Sequence, residues 1–388
     1  MVGSELTVEL DESRFDRQER ITWWDQNRLA ASKVLVVGAG ALGNEIVKNL
    51  VLVGVGSVLV VDFDTVELSN LSRCVFFRPE DEGRGKAEVL AERASAMSPA
   101  TVVHGRSRDI RSFGTGLACR ADVVVGGLDS REARLFVNRL AWRVGRPWVD
   151  GAMEALSGVA RVFRPPESCY ECTLTDADFE RLSHRQSCRL LSRDDLLEGK
   201  VPTTATTSSI VAGAQVQEVV KILHADRTGV RLLRDALVFD GANNDAYVLR
   251  YPSRDDCYAH HEYTAPFELA AGPTTTFRDL LAVAGLDEGI VELGDDYLTA
   301  WACTTCDTSE AATGPVALLG FADAECPGCG EARQPVTTTA VTVPGDHADT
   351  TLDGFGLRVD EVLPVRRGMD YRYVWAHRPD PDLPEDWR

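Results

Sequence analysis

The chain has 388 residues and a formal charge of −19, from 41 basic and 60 acidic side chains, and at roughly 100–200 residues per domain that length implies two or three domains. Hydrophobic residues at 44% and charged residues at 26% exclude disorder as the general state, and no apolar run approaches the roughly 20 residues that span a bilayer. The acid excess excludes general nucleic-acid binding, which needs clustered Lys and Arg, yet permits a small phosphate ligand held by local cations and backbone amides.

Residues 1–32 read as a polar N-terminal helical segment. It lacks a basic-then-apolar signal pattern, so a cytoplasmic location with no membrane partner is expected. Residues 33–38 form a short apolar run, the mark of a buried parallel strand. Helical spacing follows over 44–53, then a second buried strand over 57–62. A helix over 86–97, a strand over 121–126, a helix over 131–143 and a strand over 147–151 continue the alternation. Such alternation predicts an α/β fold, a parallel sheet with helices on both faces. A polar, irregular crossover occupies about 173–201, and long loops of that kind are usually functional. A long helix over 204–223 and strands over 232–239 and 247–251 close the domain near residue 262. Residues 263–388 are richer in Thr, Gly and Asp and read as a smaller accessory domain.

Gly38-Ala-Gly40-Ala-Leu-Gly43 follows the first strand and opens a helix. The first glycine permits the tight turn, the second admits phosphate oxygens to the backbone, and the third allows close helix–strand packing. Asp62 lies at the end of the second strand, placed to bond a ribose hydroxyl. A nucleotide is therefore expected. The stretch after Asp62 does not suit a nicotinamide dehydrogenase. Asp64, Asn70 and Arg73 follow at once, then Lys86, then Asp129 at the end of a later strand, with Arg134 one turn into the next helix. Ligands of parallel sheets bind at the carboxyl ends of strands, so these groups converge on one pocket. Arginine and lysine there hold a triphosphate and offset charge on a leaving pyrophosphate, while a carboxylate holds magnesium.

On these residues the chain resembles the ubiquitin-activating-enzyme superfamily, which includes the ThiF/MoeB-like adenylyltransferases of thiamine and molybdopterin synthesis. The likeness runs over about residues 14–262. It rests on Arg14-Phe-Asp-Arg17-Gln, the glycine loop, Asp62-Phe-Asp64, Ser69-Asn70-Leu-Ser-Arg73, Gly85-Lys86-Ala and Asp129. The resemblance implies a Rossmann-like adenylation domain with a zinc site. It implies ATP and Mg2+ as cofactors, with Asp129 helping to hold magnesium. Asn70, Arg73 and Lys86 would contact the phosphates, and Asp62 the ribose. Arg17 would reach the site of the opposite subunit in a homodimer. The substrate would be a ubiquitin-like or sulfur-carrier protein ending in Gly-Gly, activated at its terminal carboxylate. The chain departs from the family in having Ser130 where Asn is common and Cys74 where Gln is common.

Ten cysteines in a long chain without a signal pattern favour metal or thiol chemistry over disulfides. Cys169 and Cys172, joined through the fold to Cys257 and His260, make a four-ligand set for structural Zn2+. The family usually has four cysteines here, and His261 is an alternative to His260. Cys303, Cys306, Cys326 and Cys329 are two Cys-x-x-Cys pairs that read as a zinc ribbon in the accessory domain. Cys188 stands apart in the crossover between Arg185 and Arg189, and nearby cations favour a reactive thiolate. The resemblance makes it the residue that accepts the activated protein as a thioester, which brings in a conjugating enzyme as a further partner. The rivals are sulfur-carrier adenylation giving a thiocarboxylate, adenylation of a peptide or small carboxylate, and a pseudo-active scaffold subunit. The retained Arg73, Lys86 and Asp129 speak against the last. The closing Pro-Glu-Asp-Trp-Arg388 carries no Gly-Gly, so the carrier is expected to be a separate chain.

Overall fold

The computed structural model describes residues 13–178, 202–378 and 380–388. Short valine-rich runs build the first sheet. Strands β1 (Lys33–Val37), β2 (Ser57–Val61), β3 (Val102–Arg106), β4 (Val123–Gly126) and β5 (Trp148–Glu154) lie parallel in the order β3-β2-β1-β4-β5. Strands β6 (Ser157–Phe163), β7 (Asp235–Asp240) and β8 (Asp245–Leu249) extend it antiparallel. The expected apolar runs are thus strands, with β7 beginning at Asp235, a residue held at φ +74°. Strands β3 and β6 add to those expected.

Period-two alternation sorts the side chains onto two faces. Val34, Val36, Val58 and Val60 face helices Ala41–Val53, Lys86–Ser95 and Ala205–Leu223, packing with Val47, Leu50, Leu90 and Val219. Leu35, Val37, Leu59 and Val61 face the other way, toward helix Arg131–Arg143 and Phe113, Leu117, Val137 and Trp148. Sheet order reverses between β1 and β4, both of which run out toward the same end. The crevice at such a switch point is where open α/β sheets bind ligands.

A second sheet follows. Strands β9 (Phe267–Ala270), β10 (Gly289–Cys303), β11 (Thr308–Pro315), β12 (Gln334–Val343), β13 (Glu361–Arg367) and β14 (Asp370–His377) run in the order β11-β10-β13-β14-β9, with β12 also on β10. Register shifts between Glu292 and Tyr297 and between Leu298 and Ala300 bend β10. Phe277, Leu281, Tyr297 and Phe355 lead its separate core. The two sheets are tied where Gly116 N donates to Asp360 O at 2.8 Å and Thr115 Oγ1 donates to Glu361 at 2.6 Å. Residues 380–388 then return to the first sheet, where Leu383 and fully buried Trp387 join the core with Leu59 and Val61. No helix among the described residues is long and apolar enough to cross a membrane.

Candidate nucleotide site and cysteine clusters

A cleft of about 490 Å³ opens at the carboxyl ends of the parallel strands. Its floor is the glycine loop. Gly38 sits at φ +101°, and a Cβ there would stand 2.5 Å from the Gly127 carbonyl. A Cβ on Gly43 would run into the Gly38 carbonyl, whereas one on Gly40 would meet nothing within 4 Å. The first and third glycines are therefore demanded by packing. The second leaves open space above the backbone. Helix Ala41–Val53 starts there with no side-chain cap and no acid in its first turn, so its N–H groups and dipole are available to an anion.

The walls carry the residues singled out by sequence. Asp62, Asp64, Asn70, Arg73, Lys86 and Asp129 all line this one cleft. Asp62 accepts from the backbone N–H of Ala39 at 2.6 Å and of Asp64 at 2.7 Å, which fixes it beside the loop. Burial nonetheless pushes its carboxyl above the ordinary range. Lys86 pairs with Asp64 at 2.7 Å. Burial works against its charge, but the Asp64 bond and the charges of Asp62 and Asp64 outweigh it and hold the ammonium above its usual value. Asn70 Oδ1 accepts from Glu67 N at 2.9 Å, and Arg73 donates to Ser69 O at 2.8 Å. Ser130 caps helix Arg131–Arg143, its hydroxyl accepting from Ala133 N at 3.0 Å, so a serine in place of the common amide leaves the Asp129 turn well formed.

Arg134 lines the cleft, but its guanidinium is bound to buried Asp150 at 3.2 Å and to the Leu128 and Gly151 carbonyls. It braces β5 rather than offering a free charge. Arg17 lies on helix Asp16–Glu19 and is not among the described residues lining this chain's cleft. Cys188 lies outside the described residues. Burial pushes the Cys74 thiol up to about 11, so in this cleft it is a neutral wall group.

Sequence reasoning missed two features. Asn44, fully buried in the first turns of its helix, donates to Ala39 O at 2.8 Å and Gly40 O at 3.0 Å and accepts from Phe76 N at 3.0 Å. It ties the glycine loop to the segment after Arg73. An amide directly after the third glycine was the available signal. Arg108 and Arg111 also line the cleft, but they follow β3, a strand whose His104-Gly105-Arg106 hides it from an apolar-run search.

Both cysteine sets come together. Cys169, Cys172, Cys257 and His260 place their ligand atoms within 4.8 Å of one another, as do Cys303, Cys306, Cys326 and Cys329. The first set has Cys169–Cys257 at 3.5 Å, Cys169–Cys172 at 3.7 Å and Cys172–His260 Nε2 at 3.3 Å. The second has Cys303–Cys329 at 3.6 Å and Cys306–Cys326 at 4.0 Å. A tetrahedral ion with Zn–S bonds of about 2.3 Å needs sulfur–sulfur edges of roughly 3.8 Å, so both sets fit zinc. His260, stacked on Trp142 at 4.4 Å between ring centres, is the histidine in the cluster, and His261 is exposed.

The ThiF family matches residues 15–259. The SAMP-activating enzyme E1 of Haloferax volcanii is 31% identical over 265 residues, which are 65% of this chain and 91% of that protein. The Nedd8-activating enzyme E1 catalytic subunit of Drosophila melanogaster is 38% identical over 156 residues, 37% of this chain and 35% of that protein, so the match spans about a third of that relative. The crystal structure of E. coli MccB with ATP superposes with a TM-score of 0.53 at 19% identity, over 67% of this chain and 77% of that one; at that identity the likeness is one of fold. With the glycine loop, the strand-end acids and the cations in one cleft, the chain belongs to the ThiF family, among relatives that are E1-type activating enzymes for ubiquitin-like proteins.

Proposed function

We propose that this chain is an adenylyltransferase that activates the C-terminal carboxylate of a ubiquitin-like carrier protein with ATP. One observation carries the reading: a single cleft joins an uncapped helix N-terminus with Asp62, Asn70, Arg73, Lys86 and Asp129. The loop amides and Lys86 bind the phosphates, and Asp62 the ribose. A carrier carboxylate oxygen attacks the α-phosphorus. The bond to the bridging oxygen breaks, and pyrophosphate leaves with the electron pair. Arg73 and Lys86 offset the charge that builds on it. Magnesium, held by Asp129, would supply further charge neutralisation across the phosphate oxygens. The product is a mixed anhydride of the carrier and AMP. The Cys188 thiolate then attacks the acyl carbon and AMP departs, leaving a thioester that a conjugating enzyme can accept.

We further read the working form as a cytoplasmic homodimer in which Arg17 serves the partner's cleft, and both cysteine sets as structural zinc sites. Carrier-dependent ATP–pyrophosphate exchange tests the central claim. Its absence with every small Gly-Gly protein encoded nearby would overturn it and favour a peptide substrate or a scaffold role. An adduct sensitive to reducing agent, lost in Cys188→Ala, supports the thioester. Exchange without any adduct supports the sulfur-carrier alternative.

A further inference from the structure

The cleft wall after β3 is held from the far end of the chain. Arg108 lines the cleft, and its Nη1 donates to the carboxylate of Asp380, with Asp382 at 3.8 Å from the same nitrogen. The Asp380 side chain is 4% exposed and that of Arg108 30%. Asp380 is itself fixed: its other oxygen accepts from Asp382 N at 3.0 Å. The Asp382 carbonyl accepts from Arg106. Arg108 also lies over the Phe113 ring, 4.3 Å from its centre. One face of the guanidinium is thus on an aromatic ring and one nitrogen on a carboxylate. Its other nitrogens have no carboxylate partner among the described residues.

The rest of the segment is an anchor. Trp387 is fully buried and donates from Nε1 to Ser57 Oγ at 2.8 Å. Asp386 accepts from the same Ser57 hydroxyl at 2.7 Å and meets His104 at 3.2 Å. Residues 380–388 therefore grip β2 and β3 from the side and bring the Asp380 carboxylate into hydrogen bonding with one cleft arginine, Asp382 standing farther off. A second tie acts on the same wall: Arg358 Nε donates to the Arg111 carbonyl at 2.6 Å.

We propose that Asp380 is a positioning residue for the nucleotide cleft, holding Arg108 where it meets the nucleoside end of bound ATP. The placement follows from strand order. The phosphate loop lies after β1, Asp62 after β2, and Arg108 after β3, one strand further from the phosphates. A long arginine left free loses rotamer freedom when a ligand immobilises it, and one held in advance does not. The C-terminal segment is by this argument a working part of the ATP site. The inference rests on the nucleotide reading of the cleft.

Calorimetric binding of AMP and ATP to the full chain tests it. Asp380→Asn and Arg108→Ala should each raise Kd about tenfold for both nucleotides, the loss typical of one charge-assisted bond. The double variant should be no weaker than Arg108→Ala, because Asp380 acts only through Arg108. His104→Gln gives up the Asp386 contact while the Ser57 bonds to Asp386 and Trp387 keep the segment seated, and it should bind like wild type. In pyrophosphate exchange, Asp380→Asn should raise the KM for ATP while kcat holds. Wild-type affinity in Asp380→Asn, additive losses in the double variant, an equal loss in His104→Gln, or a loss confined to ATP would each overturn the proposal. A wild-type chain that binds no nucleotide overturns the reading of the cleft and this inference together.

Discussion

Gly40 and Gly43 sit one helical turn apart and are needed for different reasons. Gly43 has no room for a Cβ because the Gly38 carbonyl occupies it, while the space over Gly40 is open. Gly43→Ala is expected to destabilise the fold by about 1–3 kcal/mol through overpacking, read as a lower denaturant midpoint. Gly40→Ala should melt like wild type and lose ATP affinity, since its methyl would stand where phosphate oxygens approach. Unchanged affinity in Gly40→Ala would remove the ligand from that backbone. Lys86 presents the complementary case. Its ammonium is raised by Asp64 and Asp62 against the cost of burial, so it stays charged throughout the working pH range. Lys86→Met should lower pyrophosphate exchange by about a hundredfold with little change in thermal midpoint. The residues of this cleft were readable because strand-end acids and a glycine loop have few other uses. Arg134 was misleading because a buried ion pair and a ligand-binding cation look alike in a sequence; only Asp150 at the next strand distinguishes them.

At the scale of elements, the turn that delivers Lys86 is locked by an acid. Asp81, fully buried at the end of the 3-10 turn Pro79–Asp81, accepts from Arg93 at 2.8 Å on both oxygens and from Arg78 N at 2.8 Å. Burial raises its carboxyl, but the Arg93, Arg78 and Arg84 interactions outweigh that and leave it below the usual range. A lowered folded value means the stabilisation is present above about pH 4 and is lost as pH falls through the lowered value. Asp81→Asn should therefore lower the thermal midpoint at pH 7, and the gap to wild type should narrow steadily below about pH 4. A constant gap would show that charge is not what locks the turn. The cysteine clusters make a second element-scale prediction. These two sets should hold about two zinc ions per chain by elemental analysis, one per set. Cys303→Ser should remove one, His260→Ala should loosen the other, and chelation should lower the melting temperature. Strands β1, β2 and β4 could be read from sequence because they are buried on both faces and so almost uniformly apolar. Strand β6 could not, since Arg161 within it is part-buried against Asp150 at 3.0 Å and reads as a surface residue. Strand β10 could not either, because Asp295 and Asp296 interrupt it at its register shift.

For the whole molecule, the proposed dimer makes a sharp prediction. Arg17→Ala and Lys86→Met should each be strongly impaired in exchange assays. Mixed and allowed to exchange subunits, they should regain part of the activity, because one cleft of each hybrid then has both residues intact. No recovery in hybrids shown by mass spectrometry to have formed would place Arg17 outside the partner's site. The packing of Trp387 on Ser57, 330 positions away in sequence, had no local signal and was invisible before the fold was known. Its consequence concerns biosynthesis. Leu59, Val61, Ile110 and Phe113 emerge from the ribosome early, yet the indole that shares their core is made long afterwards. Throughout that interval the nascent chain carries an incompletely covered apolar surface, the kind that aggregates or engages chaperones. The nucleotide domain, though its strands are made before residues 263–388, reaches its finished form only after translation has passed residue 387.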